Sequence, residues 1–246
     1  MISGQKVLFA VSSQRATPLP PVGPSAWEAI VRHYEACLAA HGATPRGADW
    51  PNGADLAGRF ATMLGPVLKN ANRPVLLDLG CGPGLLLDYL AATGGVDRVR
   101  YRGIDLSPAM VEAARARWPA QEFSCHDILA NPLADQSVDF VVMNGVLTER
   151  VSLSVEVMTS LAEALVAAAF RSARLGVVFN VMNAHVDWQR NDLFHWPFDQ
   201  LAGFLKRDVS PHYAIRADYG LYEYACFVWR QPQRPAALPA PEWWAR

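Results

Sequence analysis

The chain has 246 residues, 51% of them hydrophobic and 18% charged, with a formal net charge of −1. That length carries one large α/β domain with a buried core and a small accessory segment, and the even charge without a Lys/Arg block argues against a protein held to nucleic acid by phosphate contacts. No apolar run approaches the ~20 residues that span a bilayer, and the short Val7–Val11 stretch has neither the length nor the cleavage site of a signal peptide, so a cytoplasmic protein without membrane contact is expected.

Residues 1–24 end in a proline-rich run, Thr17 to Pro24, and read as a flexible leader. Ser25 is placed to cap a helix with Trp27, Ile30, Val31, Tyr34 and Leu38 at helical spacing, ended by His41-Gly42. Beyond Trp50-Pro51 a second helical stretch carries Leu56, Phe60, Leu64 and Leu68 on one face. Both precede the first strand and add none to the sheet, so residues 25–72 are expected to form a helical cap, or lid. From Pro74 short apolar strands alternate with helices. Strand Val75–Leu79 leads through a glycine-rich turn to helix Leu85–Ala92, which Gly94-Gly95 ends. Strand Tyr101–Ile104 precedes a helix opened by Ser107-Pro108, with Met110, Val111 and Ala114 behind it. A third strand starts at Phe123, a fourth spans Val138–Met143, and the amphipathic helix Leu153–Phe170 leads to a fifth, Leu175–Met182. A helix from Pro197 to about Leu205 and two strands, Tyr213–Arg216 and Tyr222–Trp229, close the pattern around Asp218-Tyr219-Gly220. The alternation predicts an α/β, Rossmann-like fold over residues 73–231: a mostly parallel seven-stranded sheet covered on both faces, with ligands at the carboxyl ends of its strands. The Pro/Ala-rich residues 232–246 read as a tail.

Four cysteines (Cys37, Cys81, Cys125, Cys226) are scattered, with no Cys-x-x-Cys pair and no Cys/His cluster at zinc spacing, and are expected to be reduced thiols. The sharpest signal is the turn Asp78-Leu79-Gly80-Cys81-Gly82-Pro83-Gly84. Its glycines let the backbone turn tightly and approach a ligand where a Cβ would collide. Their Gly-x-Gly-x-Gly spacing differs from the Gly-x-Gly-x-x-Gly that favours a pyrophosphate. Asp78, two residues before the first glycine, would repel a pyrophosphate but suits an ammonium group. Asp105 ends the next strand, where a carboxylate can accept both ribose hydroxyls.

With these features the chain resembles the class I S-adenosylmethionine-dependent methyltransferases. The resemblance extends to Tyr101–Met110, Cys125-His126-Asp127-Ile128 and Val138–Leu147, and covers about residues 74 to 230. It implies S-adenosylmethionine as cofactor, with Gly80, Gly82 and Gly84 around the methionine moiety, Asp105 on the ribose and Asp127 at the adenine amino group. Asp78, Cys81, Leu106, Met110, Ile128 and Asn144 complete the implied cofactor site, and Arg59 is a candidate partner for the cofactor carboxylate. Metal-dependent catechol-type members place an aspartate where this chain has Asn144, so no catalytic metal is expected.

A hydroxyl acceptor needs a group to take its proton. The segment after strand five, Asn180 to Pro197, concentrates His185, His195, Asp187, Asp192, Trp188 and Trp196 at the sheet edge where acceptors bind. His185 and His195 are the first candidates for the base, and Glu149, in Thr148-Glu149-Arg150 after strand four, is the next. Tyr219, Tyr222 and Glu223 are candidates for lining the cleft, and Tyr34 and Trp50 for closing over the cofactor. The combination of Asn180-Val-Met, Val186-Asp-Trp and Asp218-Tyr-Gly-Leu-Tyr-Glu is similar to a branch tied to bacterial surface-glycan and small-molecule pathways. It implies a small polar acceptor, O-methylated, with a sugar-like hydroxyl. Two other classes share part of the pattern: a nicotinamide oxidoreductase, against which Asp78 and the glycine spacing count, and a non-catalytic module that only binds S-adenosylmethionine.

Overall fold

The computed structural model describes residues 25–70 and 72–233; the leader and nearly all of the tail lie outside them. The strands are β1 (Val75–Leu79), β2 (Arg100–Asp105), β3 (Glu122–Cys125), β4 (Val138–Met143), β5 (Ala173–Asn183), β6 (His195–Trp196), β7 (Tyr213–Arg216) and β8 (Glu223–Trp229). They form one sheet in the order β3-β2-β1-β4-β5-β8-β7, with β6 added beside the end of β5. Only β8 runs against its neighbours, pairing antiparallel with β5 and with β7. The expected seven strands are thereby corrected to eight. His195–Trp196, read from sequence as loop, pairs in parallel with Met182 and Asn183. Trp196 is 1% exposed, and backbone buried that deeply must find hydrogen-bond partners, which the free edge of β5 supplies.

Among the described residues, six α-helices flank the sheet: α1 (Ser25–His41), α2 (Gly53–Asn70), α3 (Leu85–Ala92), α4 (Pro108–Arg117), α5 (Val155–Ser172) and α6 (Phe198–Phe204). The side chain of Ser107 accepts from the Met110 amide and Pro108 takes the first helical position of α4, because that proline has no N–H to leave unsatisfied. The long helix starts at Val155 and not at Leu153, since Ser154 caps it by accepting from the Val157 amide.

The apolar runs of the central strands serve two cores. In β1, Val75, Leu77 and Leu79 face a cluster with α5 and α6, while Leu76 faces a second cluster with α2 and α3. Period-two alternation buried on both sides gives a continuous hydrophobic strand. The two N-terminal helices play different parts. α2 buries Leu56, Phe60, Met63, Leu64 and Val67 in the second core, whereas none of residues 27–41 of α1 is fully buried and its Trp27, Ile30, Val31 and Tyr34 lie over the sheet edge. Because β1 to β4 are parallel, their carboxyl ends open together at the edge beneath α1.

Candidate active site

The turn after β1 builds the floor of a cavity under α1. Gly80 has φ +77° and Gly82 φ +52°, a region that side chains rarely adopt, and a Cβ on Gly80 would come within 2.4 Å of Val146 Cγ2. The backbone therefore runs where only glycine leaves room. The amides of Gly80 and Cys81 donate to the Ile104 carbonyl at 2.8 and 3.0 Å, locking the turn to the end of β2.

Asp105 braces this turn and faces the cavity. Its Oδ2 accepts from the Gly82 amide at 2.8 Å and its Oδ1 from the Ser107 amide at 2.9 Å. Burial raises its pKa, against the pull of those backbone donors. Asp127 uses Oδ1 to accept from the amides of Leu129 and Ala130 at 2.8 and 3.1 Å, leaving Oδ2 for a ligand. Asp78 is 3% exposed and accepts from the Tyr101 hydroxyl at 2.8 Å. Burial pushes its carboxyl up to about 7. The Asn144 Oδ1 is buried and, among the described residues, has no hydrogen-bond donor. An orphaned acceptor beside an acidic group is matched by a cationic ligand group such as an ammonium.

Of the residues expected to bind a cofactor, Asp78, Gly80, Cys81, Gly82, Asp105, Leu106, Met110, Asp127, Ile128 and Asn144 line this one cavity. Gly84 stands just outside it at the start of α3, with φ +86° and the Trp118 ring 3.1 Å from where its Cβ would be. Arg59 is a correction: its Nε donates to Glu223 Oε2 at 2.8 Å, and its guanidinium lies over the Trp50 ring. Glu223 is 1% exposed, and a carboxylate that buried holds the nearest cation. Glu223 Oε1 also accepts from Asn180 Nδ2 and the Tyr219 hydroxyl, and Asn180 Oδ1 accepts from the Gly145 amide at 2.7 Å. This buried chain of bonds fixes the end of β4. Asn180 carried no local signal for that role, which depends on β5 and β8 being neighbours.

The roof consists of Trp27, Ile30, Val31 and Tyr34, joined by Leu161 and Leu165 of α5. Ser107 Oγ donates to Glu35 at 2.7 Å, pinning α1 to the start of α4. Trp50 closes the cavity at one side, its ring 2.6 Å from where a Gly145 Cβ would be. On the other side of Trp50 lies a polar cleft formed with Cys37, His41, Arg46, Asp49, Pro51, Glu149 and Arg190. Glu149 is 8% exposed. Burial, then repulsion from Asp49, pushes its carboxyl up to about 7, against the pull of Arg190 and His33. Neither candidate histidine borders the cavity or the cleft. His185 is exposed, with its ring 5.0 Å from that of Phe198. His195 sits in β6 with Nδ1 2.8 Å from the Asn183 carbonyl, a contact that places a proton on Nδ1. Tyr222 is exposed against Trp188.

A family model described as a methyltransferase domain matches residues 76–167. A putative methyltransferase of Mycobacterium tuberculosis is 36% identical over 165 residues, which cover 65% of this chain and 96% of that protein. Trans-aconitate 2-methyltransferase of Rhizobium rhizogenes is 43% identical over 70 residues, 28% of this chain and 26% of its own length. Among solved structures, magnesium protoporphyrin IX methyltransferase from Synechocystis with bound S-adenosylmethionine superposes with a TM-score of 0.55 at 18% identity, covering 82% of this chain and 96% of that one. The 1,6-didemethyltoxoflavin-N1-methyltransferase of Burkholderia thailandensis, with S-adenosylhomocysteine bound, gives a TM-score of 0.56 at 18% identity over 89% of this chain and 96% of that one.

Proposed function

The chain belongs to the class I S-adenosylmethionine-dependent methyltransferases, and from that premise we propose that it O-methylates a small polar acceptor bearing a sugar-like hydroxyl, seated against the polar cleft beside Trp50. S-adenosylmethionine supplies a sulfonium-borne methyl group whose transfer is an in-line displacement, so most of the protein's contribution is positioning. Asp105 and Asp127 offer carboxylate oxygens for the ribose and the adenine amino group, and Asp78 with Asn144 Oδ1 offers acceptors for an ammonium. Tyr34 and Trp50 exclude water from the cavity. Glu149 takes the proton from the acceptor hydroxyl.

The observation that carries this reading is that Trp50 borders both the cofactor cavity and the cleft, and that Glu149, alone among Glu149, His185 and His195, lines the cleft. A group must be within hydrogen-bond reach of the proton it removes, which favours Glu149 over the two histidines. The test is turnover of S-adenosylmethionine with a panel of sugar-like and other hydroxylated metabolites, comparing Glu149→Gln, His185→Ala and His195→Ala. The reading expects the first variant alone to lose turnover while keeping its affinity for S-adenosylhomocysteine.

A second reading is supported by Arg46 and Arg190 in the cleft and by the partial likeness to trans-aconitate methyltransferases: a carboxylate acceptor. A carboxylate is already ionised at neutral pH and needs no base. Turnover on a polycarboxylate that survives Glu149→Gln selects this second reading over the first.

A further inference from the structure

The cleft contains a grouping that neither the cofactor nor the acceptor reading uses. His33 and Cys37 stand four residues apart on α1 and so share one face of the helix. After α1 the chain makes a 3-10 turn at Arg46–Ala48 and enters the left-handed region at Asp49, φ +59°. This turn brings the Asp49 carboxylate back onto the helix. His33 Nε2 lies 2.8 Å from Asp49 Oδ2 and 3.9 Å from Cys37 Sγ, and the three ligand atoms all fall within 4.8 Å of one another.

A histidine–aspartate hydrogen bond by itself is ordinary. A thiol converging on the same point adds the third donor of a mixed nitrogen, sulfur and oxygen set. Zinc binds imidazole nitrogen and carboxylate oxygen at roughly 2.0–2.2 Å and thiolate sulfur at about 2.3 Å, so the edges of a tetrahedral site measure about 3.3–3.6 Å. The observed separations of 2.8 and 3.9 Å bracket that range. Side-chain adjustments of about half an ångström bring these two edges to tetrahedral length, and the third, between Cys37 and Asp49, lies within 4.8 Å. A thiol and an imidazole favour a borderline or soft ion over Mg²⁺ or Ca²⁺. Negative charge close by comes from Glu149, which lines the same cleft, and is offset in part by Arg46 and Arg190 on its other walls.

We infer that His33, Cys37 and Asp49 form a zinc-type metal site with three protein ligands and a fourth position open to the cleft. Cys37 and Asp49 are themselves walls of that cleft, so water or an anionic oxygen of a bound molecule completes the coordination. The ion fastens α1 to the turn that carries Trp50, the partition between cleft and cofactor cavity. Cysteine and histidine spacing alone did not reveal the site because its third ligand comes from a turn, not from a second Cys/His pair. The inference is independent of which acceptor the enzyme methylates.

The test titrates the metal-free full chain with Co²⁺ alone and then displaces it with Zn²⁺. One equivalent of Co²⁺ should give an intense near-ultraviolet thiolate-to-metal band together with the visible absorption of a tetrahedral ion, and Zn²⁺ should abolish both. Cys37→Ser should lose the near-ultraviolet band. Asp49→Asn and His33→Gln, read separately, should each weaken binding at least about tenfold, in the range set by loss of one ligand interaction. Unchanged affinity for S-adenosylhomocysteine in each variant shows that the fold is intact. Failure to bind one equivalent of Co²⁺, or a near-ultraviolet band that persists in Cys37→Ser, overturns the inference.

Discussion

The cofactor cavity and the polar cleft share Trp50 as a wall, yet they are assembled differently. The polar contacts of the cavity come from the loops that directly follow β1, β2, β3 and β4, and they are largely backbone amides held by Asp105 and Asp127. The cleft is made of side chains from α1, the turn after it, the loop after β4 and the loop after β5. A site built on backbone at one sheet edge constrains few side chains beyond the turn itself. One built from side chains of distant segments can change its ligand without disturbing the sheet. On the proposed reading, the cofactor side is fixed by backbone and the acceptor side is the one that can change its side chains.

Variants that act on one region and spare the other test that division. The largest effect is expected on the cleft side: Glu149→Gln should lower kcat on a hydroxyl acceptor by roughly 10²–10⁴-fold, the usual contribution of a general base, with calorimetric affinity for S-adenosylhomocysteine unchanged. Arg59→Ala acts behind the partition and should impair both regions. It strands the buried Glu223, whose side chain is 1% exposed against 13% for Arg59. Breaking such a pair costs about 3–5 kcal/mol of stability, measurable by urea denaturation, and the paired replacement Arg59→Met with Glu223→Gln, which keeps an acceptor for Asn180 Nδ2 and the Tyr219 hydroxyl, should recover much of it.

On the cavity side, Asp105→Ala should cost about 1.5–3 kcal/mol per charge-assisted bond lost to the ribose. Calorimetry with S-adenosylhomocysteine reads this directly, and an unchanged affinity would sink the ribose assignment. The smallest effect is a pH dependence. In the proposed site an ammonium group would bind the ionised form of Asp78, whose carboxyl burial pushes up to about 7. Affinity for S-adenosylhomocysteine should therefore fall as the pH drops below about 7, by up to about tenfold per unit, and level off above it. Asp78→Asn should flatten the slope between about pH 6 and 8.

The features readable before the fold was known are those whose cause is local. The positive φ of Gly80 and Gly82, the Ser107-Pro108 cap and Asp105 at the end of β2 each follow from a short stretch of chain whose geometry allows few alternatives. Arg59, β6 and the metal-type cluster follow another rule. Nothing near Arg59 in sequence names its partner Glu223, 164 positions away. His185 and His195 are prominent in the sequence after β5. Folding turns the first outward and holds the second in a strand.

Hydrophobic periodicity and the glycine turn thus determined, from the sequence alone, the alternating α/β order, the parallel core and the sharp turn after β1, because helix and strand periods and positive-φ glycines act over a few residues. Tertiary structure alone decided which charges meet. A buried carboxylate such as Glu223 takes whatever cation the packing brings within reach, and His33, Cys37, Asp49 and Glu149 come together only because α1 folds over the ends of β1 to β4. Long-range electrostatic partners are set by distance in space, for which separation along the chain is no guide.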